Sequence, residues 1–191
     1  DDNLDPRRGY RYKLQYQDIS GESANDSDYY RLDNSLSLYI PMFNHDTLAL
    51  NYYQSDAHVR KVGNLDETTI RQELGTGCDP ADAACLLAEQ ELVNEMILQR
   101  RNGTATSLGG NDRMRGYPQS RFNGGHMAFV GVEYRWNFIR EKKEALDFLV
   151  WKDIPTALQL AFFVETGTVS ENKQDLWDQN RISYGVGGRV L

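Results

Sequence analysis

Residues 127–136 read MAFVGVEYRW and alternate between two kinds of side chain. One phase carries Ala128, Val130, Val132, Tyr134 and Trp136, and the other carries Met127, Phe129, Gly131, Glu133 and Arg135. Successive side chains of a β-strand point to opposite faces of the sheet, so a repeat of two predicts a strand with one apolar face. This stretch therefore indicates a half-buried strand rather than a helix.

The same alternation recurs along the chain at 10–16, 30–40, 48–53, 158–165 and 182–190. Each predicted strand is about 8 to 11 residues long, the length that a tilted strand needs to cross a bilayer. The predicted fold class is all-β, an antiparallel meander. A soluble β-sandwich is the alternative, because its strands also have one face on a core and would look alike one by one.

The composition excludes two classes of protein. The 191 residues include 21 Lys and Arg against 28 Asp and Glu, a net charge of −7, whereas a nucleic-acid binder needs a basic face. The mean hydropathy is −0.64, and no apolar run reaches roughly 18 to 20 residues, the length of a membrane-spanning helix. A transmembrane β-barrel remains compatible with both values, because lipid-facing and lumen-facing residues alternate along its strands.

The links between the predicted strands differ greatly in length. The link at 20–28 is long and polar, the one at 41–46 is short, and the loop at 62–125 is far longer than either. Outer-membrane barrels have short periplasmic turns on one rim and long external loops on the other, so this asymmetry favours a barrel. The segment 138–155 fits less well, because it is too long for a minimal periplasmic turn.

The long loop contains a predicted helix near residues 80–101. Apolar residues recur there at helical spacing, Asp79 is a candidate N-cap, and Pro80 suits the first turn. We expect this helix to pack on the neighbouring loop or rim, with docking of a partner as the alternative. Cys78 and Cys85 have no companions at metal-ligand spacing, so they form either a local disulfide or two free thiols.

The same loop ends in a glycine-rich tip with the sequence Arg-Gly-Tyr at 115–117. An arginine withdrawn from water needs an acidic partner, since breaking a buried ion pair typically costs about 3 to 5 kcal/mol. Glu133 and Glu165 lie on the polar phases of their strands and are therefore available on the same face of the sheet.

These residues resemble a known family, the bacterial surface-antigen barrels of the BamA and TamA superfamily. The family signature is a (V/I)RGF or VRGY tip on a long external loop that tucks back into the barrel lumen. Met114, Arg115, Gly116 and Tyr117 resemble that tip, and the glycine pair at 109–110 precedes it as in the family.

Two strand motifs and the opening residues are similar as well. The family's next strand carries an inward acid followed by an aromatic residue, matched here by Glu133 and Tyr134. Its following strand carries Phe-x-Asp-x-Gly, matched at 163–167 with Glu165 in place of Asp and Gly167 at the end. Residues 2–9 resemble a turn that begins an earlier strand of the family.

The resemblance implies a fold, a location and a function. The family forms a sixteen-stranded transmembrane β-barrel in the bacterial outer membrane, and the strands predicted here correspond to about the ninth to the fourteenth. Residues 1–191 are then a partial barrel domain, because so few tilted strands cannot close around a loop-filled lumen. Arg115 would be locked to the lumen acids Glu165 and Glu133. The implied function is outer-membrane protein assembly or polypeptide translocation, with lipid, nascent outer-membrane proteins or a passenger domain as partners.

Two other functions remain open. One is a surface barrel that anchors or exports a fused or partner domain, and the other is a soluble β-sandwich that acts as a binding module. No enzyme, cofactor or metal site is expected, because His45, His58 and His126 are scattered singly without a nucleophile and base pair or a phosphate-binding loop.

Overall fold

The computed structural model describes residues 6–75, 77–139, 145–148, 151–155 and 158–190. The strands are β1 (Gly9–Ile19), β2 (Asp28–Pro41), β3 (Thr47–Lys61), β4 (His126–Ile139), β5 (Ala145–Phe148), β6 (Trp151–Pro155), β7 (Leu158–Ser170) and β8 (Arg181–Val190). The helices are α1 (Glu67–Leu74) and α2 (Ala83–Asn102), with short 3-10 turns at Phe43–His45 and Lys173–Asp175.

Six strands form one antiparallel sheet in the order β1-β2-β3-β4-β7-β8. This confirms the predicted all-β meander. The strands are longer than the alternation indicated; β3, for example, has 15 residues. Its second half, from Gln54 to Lys61, has only Ala57 and Val59 as apolar residues, so hydrophobic alternation was too weak to recognise there.

The remaining strands, β5 and β6, pair with each other in a separate two-stranded sheet. They lie within 138–155, the segment that is too long for a minimal turn. No strands were predicted there, because β5 and β6 have only four and five residues and the alternation is too brief to recognise.

The long loop contains two helices instead of one. The N-cap of α2 is Asp82 and not the predicted Asp79: the Asp82 carboxylate accepts hydrogen bonds from the backbone N–H groups of Ala84 and Cys85, both at 3.1 Å. Asp79 instead accepts from the N–H of Ala81 in a local turn. Among the apolar residues of α2, only Val93 is fully buried, although the helix contacts α1 and β3.

Helix α1 was not predicted from the sequence. Its only fully buried residue is Ile70, so its hydrophobic pattern is weak. Its start is nevertheless marked in the sequence, because the Asp66 carboxylate accepts from the N–H of Thr69 as an N-cap. Neither α1 nor α2 combines the length and the apolar composition that a helix needs to cross a membrane.

Three connections leave the same end of the six-stranded sheet, at 20–27, 62–125 and 171–180. The second of them folds back so that residues 103–125 lie over one face of the sheet. We call this the covered face. A small apolar cluster joins the loop to it, formed by Ala105, Leu108, Met114, Met127 and Phe129.

The two faces of the sheet differ in polarity in the opposite sense to a soluble protein: polar side chains are buried and apolar side chains are exposed. The covered face buries many polar side chains, among them Asp33, Ser55, Glu133, Arg135, Asn137, Gln159, Glu165 and Ser183. The opposite, open face exposes large apolar and aromatic side chains, among them Tyr10, Tyr12, Leu14, Tyr16, Val132, Trp136, Phe162, Val164, Ile182, Tyr184 and Val186. The apolar phase of the strands is therefore the one that no part of the described chain covers.

Candidate functional site

The tip of the long loop is a narrow hairpin pressed against the covered face. Leu108 and Phe122 exchange backbone hydrogen bonds of 2.9 and 3.0 Å at its base. Gly109 follows with φ 115°, and a Cβ there would lie 2.4 Å from the carbonyl oxygen of Pro118. Glycine is required at this position, because the backbone conformation and the close approach both exclude a side chain. We call residues 108–122 the tip hairpin.

Arg115 projects from this hairpin onto two acids of the sheet. Its Nε donates to Glu165 Oε1 at 2.6 Å, and its backbone N–H donates to Glu165 Oε2 at 2.8 Å. Its Nη1 donates to Glu133 Oε2 at 2.7 Å. The two acids are 2 % and 4 % exposed. The structure thus brings Arg115, Glu133 and Glu165 into one buried cluster on the covered face.

Glu133 has two further arginine partners that the sequence analysis did not single out. Arg135 Nε lies 2.9 Å and Arg189 Nη2 lies 3.0 Å from Glu133 Oε1. Both arginines lie on the polar phase of their strands, and this position was the sequence feature that could have identified them as partners of Glu133. The charge on Glu133 is therefore shared among three guanidinium groups from the tip hairpin, β4 and β8.

The aromatic ring of Phe163 forms the floor under Arg115. The Arg115 guanidinium carbon lies 3.6 Å from the ring centroid, in cation–π contact. On the neighbouring strand, a Cβ on Gly185 would lie only 2.6 Å from Phe163 Cζ. The ring is thus confined between the guanidinium group and the glycine backbone.

The other two residues of the Arg-Gly-Tyr sequence reach β8. The N–H of Gly116 donates to Ser183 Oγ at 2.9 Å, and the Tyr117 hydroxyl lies 3.5 Å from the carbonyl oxygen of Ile182. The Tyr117 ring also packs edge-on against Phe122. The tip hairpin is therefore fastened to β4, β7 and β8 together.

Gly167, also predicted as a site residue, lies at the base of the hairpin and not beside Arg115. A Cβ on Gly167 would lie 2.8 Å from Leu108 Cδ2 and 3.3 Å from the carbonyl oxygen of Ala128. Its absence of a side chain lets Leu108 pack directly on the sheet. The glycine of the Phe-x-Glu-x-Gly motif thus permits docking of the loop that carries Arg115.

Comparison with known proteins adds no relatives: the chain matches no protein-family model and no curated protein sequence.

A second set of hydrogen bonds holds the stem of the loop. The backbone N–H of Thr106 donates to Ser55 Oγ at 2.8 Å, and Ser55 Oγ donates to Asp33 Oδ1 at 2.6 Å. The Tyr53 hydroxyl donates to Thr106 Oγ1 at 3.1 Å. These contacts satisfy polar groups of β2 and β3 that the loop buries.

Cys78 and Cys85 form a disulfide at the start of α2, away from the tip hairpin. The other end of α2 carries Arg100, which is almost fully buried although it is charged. Arg100 Nη2 lies 2.5 Å from Glu73 Oε2 and 3.3 Å from Asp26 Oδ1, and Nη1 donates to the carbonyl oxygen of Asn64 at 3.1 Å. The hydrogen bond from Arg100 lowers the pKa of the Glu73 carboxyl below its usual range.

Two of the three histidines, predicted to be scattered singly, lie together: the rings of His58 and His126 meet edge-on with their centroids 6.4 Å apart, and His45 lies elsewhere. His126 Nδ1 lies 2.8 Å from Asp56 Oδ1, His58 packs against the ring of Tyr30, and His45 lies in the turn between β2 and β3. Within the described residues, no three His, Cys, Asp or Glu side chains are grouped so that they could hold a metal ion.

Proposed function

We propose that this chain is a section of the wall of a transmembrane β-barrel in the bacterial outer membrane, of the type that assembles or translocates polypeptides. The observation that carries the proposal is the inverted polarity of the sheet: the covered face is polar and the open face is apolar. The tip hairpin then lies in the lumen, fastened there by Arg115.

The burial pattern argues against the soluble sandwich. A sandwich packs the apolar phases of two sheets against each other and leaves the polar phases in water. Here the covered phase contains Glu133, Glu165 and Asp33, while Tyr10 and Tyr184 on the other phase are 77 % and 81 % exposed. A lipid environment accounts for this arrangement, because strands of an outer-membrane barrel are apolar outside and polar inside.

The register extends the open face into a continuous belt. Val132 of β4 lies opposite Leu50 and Val164, and Val164 lies opposite Tyr184. Along β4 the open phase is apolar from Ala128 to Trp136. The eight steps between these nine residues, at about 3.4 Å each, span roughly 27 Å, or roughly 20 Å after a tilt of about 40°. This is close to the apolar band of roughly 25 Å on outer-membrane barrels.

Polar side chains interrupt the open face toward the loop end of the sheet, among them Asn34, Gln54, Thr166 and Thr168, and the two amides each have a tyrosine partner on it. The Tyr12 hydroxyl donates to Asn34 Oδ1 at 3.0 Å, and the Tyr52 hydroxyl donates to Gln54 Oε1 at 2.6 Å. Pairing reduces the cost of placing an amide in an apolar surrounding. The two amides are thus compatible with contact to lipid.

The two outer strands require further partners in a membrane. Within the described sheet, β1 pairs only with β2 and β8 pairs only with β7. Unpaired backbone groups are not tolerated against lipid, so a wall containing this sheet needs additional strands until it closes. The resemblance to the BamA and TamA superfamily supports a barrel of sixteen strands.

The role in assembly or translocation is supported by the Arg-Gly-Tyr tip and its contacts. Arg115 forms ion pairs with two buried carboxylates, and the tip hairpin thereby becomes a fixed part of the inner wall. Its removal would leave the buried Glu165 without its arginine partner, while Glu133 would keep Arg135 and Arg189. We infer that the hairpin shapes the lumen through which a polypeptide is handled and stiffens the wall beside it.

Membrane fractionation tests the location. We expect the protein in the outer-membrane pellet, resistant to washing with carbonate or urea and extracted only by detergent. Recovery in buffer without detergent would support the soluble sandwich and overturn the barrel.

Substitution of the tip arginine tests the function. In the full-length protein, Arg115→Ala and Glu165→Ala should each lower the temperature at which the folded form disappears on heat-modified gels and should reduce levels of other outer-membrane proteins. Arg121→Ala is the matched control, because Arg121 is an exposed arginine of the same hairpin. Normal gel mobility and full activity in the two variants would contradict a functional role for the ion pairs of Arg115 with Glu133 and Glu165. If only the export of a fused domain is impaired, the anchoring function is correct instead.

A further inference from the structure

A polar cavity of about 290 Å³ lies between the tip hairpin and the covered face. Its wall includes the side chains of Ser35 and Ser37 on β2 and of Asn51 on β3. Four arginines also line it, Arg113, Arg115, Arg135 and Arg189, together with the carboxylates of Asp112, Glu133 and Glu165. The volume is near the lower end for small-molecule pockets, roughly 300 Å³.

Three of the four arginines of this cavity, Arg115, Arg135 and Arg189, are bonded to its buried acids. Glu165 is engaged by Arg115, and Glu133 is engaged by three arginines. The remaining carboxylate, on Asp112, belongs to an exposed residue of the tip. In the part of the chain that the structure describes, Arg113 makes no ion pair with any of them.

Arg113 is held in place without an acidic partner. Its guanidinium carbon lies 3.6 Å from the centroid of the Tyr53 ring, so the group is stacked on an aromatic face. The Tyr53 hydroxyl is in turn fixed by Thr106. Stacking uses the face of the guanidinium plane and leaves its N–H donors, which lie in the plane, free to bind an oxyanion.

We propose that this cavity binds a small oxyanion, the phosphate or carboxylate group of a soluble ligand, with Arg113 as its principal charged contact. The hydroxyl groups of Ser35 and Ser37 and the amide of Asn51 can donate hydrogen bonds to the remaining oxygens. Guanidinium groups suit this role because their planar donors match phosphate and carboxylate in pairs. The site lies on the covered face, so it does not depend on whether the open face contacts lipid.

Thermal unfolding of the full-length protein, in detergent or in buffer as its solubility requires, tests the site. Inorganic phosphate and citrate are titrated separately against sodium chloride of equal ionic strength. We expect a saturable rise in melting temperature with at least one of the two anions and none with chloride. The more effective anion identifies the preferred group. Equal effects of phosphate, citrate and chloride would overturn the proposal.

Variants of the wall identify the binding residue. Arg113→Gln should weaken binding about tenfold, as expected for one lost hydrogen bond to a charged group, whereas Arg121→Gln, outside this cavity, should bind as the unaltered protein does. Ser37→Asp places a negative charge in the wall and should abolish anion binding. This second variant tests the site even if Arg113→Gln does not fold. Unchanged affinity in Arg113→Gln or in Ser37→Asp would refute the site.

Discussion

Arg115 is confined on three sides at the scale of single residues. Glu165 accepts from both its side chain and its backbone, Glu133 accepts from its other side, and the ring of Phe163 supports the guanidinium plane from below. A lysine at this position would lack the planar fork that bonds two carboxylates while it stacks on a ring. The arrangement therefore depends on arginine specifically and on the position of the Phe163 ring.

Gly185 lies behind that ring, on the neighbouring strand. In Gly185→Ala the new methyl group would lie 2.6 Å from Phe163 Cζ, so the ring must move toward Arg115. Overpacking of this kind costs about 1 to 3 kcal/mol. We expect a lower free energy of unfolding and faster proteolysis of the tip hairpin.

Gly187→Ala is the matched control for this prediction. It lies two residues further along β8, on the same face, and a Cβ there meets nothing within 4 Å. Its stability should equal that of the unaltered protein or exceed it slightly, because alanine restricts the unfolded chain. Equal losses in the two variants would show that the Phe163 contact is unimportant.

At the scale of elements, Arg100 connects four separate segments outside the sheet. It belongs to α2 and contacts Glu73 of α1, Asp26 of the link between β1 and β2, and the backbone of Asn64. Helix α2 exposes most of its apolar residues and α1 has only two, so hydrophobic burial alone holds the pair weakly. The charged contacts of Arg100 are expected to supply much of their attachment, together with the 2.7 Å ion pair between Arg71 of α1 and Glu89 of α2.

We predict that Arg100→Met weakens the attachment of α1 and of the 20–27 link to α2. Methionine can fill the same volume but cannot donate to the three acceptors. Amide hydrogen exchange in α1 should become about tenfold faster, as for the loss of a hydrogen bond to a charged group. Arg101→Met, at the exposed neighbouring position, should leave exchange unchanged.

The effect of Arg100→Met on amide exchange in α1 should depend on pH through the pKa of Glu73. Arg100 lowers that pKa, so the pair contributes its stabilisation above the usual glutamate value and loses it as pH falls through the lowered value. The difference in α1 exchange between Arg100→Met and the unaltered protein should therefore be full at neutral pH and shrink in acid. A difference that is constant across this range would contradict the ion pair.

At the scale of the whole molecule, the central question is what covers the open face. Val164 lies in the middle of the apolar belt and is more than half exposed, and Val62 is a comparably exposed valine just after β3. In water, arginine at either position would change stability by less than about 0.5 kcal/mol. Against lipid, arginine at the middle of the belt costs about 2 to 4 kcal/mol.

The whole-molecule prediction is that Val164→Arg destabilises the full-length protein by about 2 to 4 kcal/mol and Val62→Arg does not. Urea unfolding in lipid vesicles measures both differences under the same conditions. Similar, small effects in the two variants would argue that the belt faces water and would remove the main support for the barrel.

The strands were predictable because each alternates over a long run, as at 127–136. The second half of β3 and the short strands β5 and β6 were not predictable from the sequence. The two phases of a strand must differ in hydrophobicity over several residues before the alternation can be recognised. Helix α1 was missed although Asp66 marks its start, and Asp82 was passed over as the N-cap of α2 in favour of Asp79. Both errors concern polar signals of one or two residues.

Within the site, the partners Glu133 and Glu165 could be proposed for Arg115 from strand phase and motif order. Phe163, Ser183 and Arg189 could not be ranked above other residues of the same phase. Their proximity depends on the register between β4, β7 and β8, which brings Glu133 opposite Phe163 and Phe163 opposite Gly185. Register depends on the packing of whole strands and has no local sign in the sequence.

The sequence by itself determined that the chain forms long strands and which side chains share a face, because alternation follows directly from the local geometry of an extended backbone. Only the tertiary structure decided which face is covered. That choice depends on where the loop at 62–125 folds back, and its hairpin supplies the charged and hydrogen-bonding partners that the polar face requires when it is buried. The apolar face was left open for this reason: the loop satisfies acids and hydroxyl groups, and nothing in the described chain competes for the valines, leucines and tyrosines on the other side.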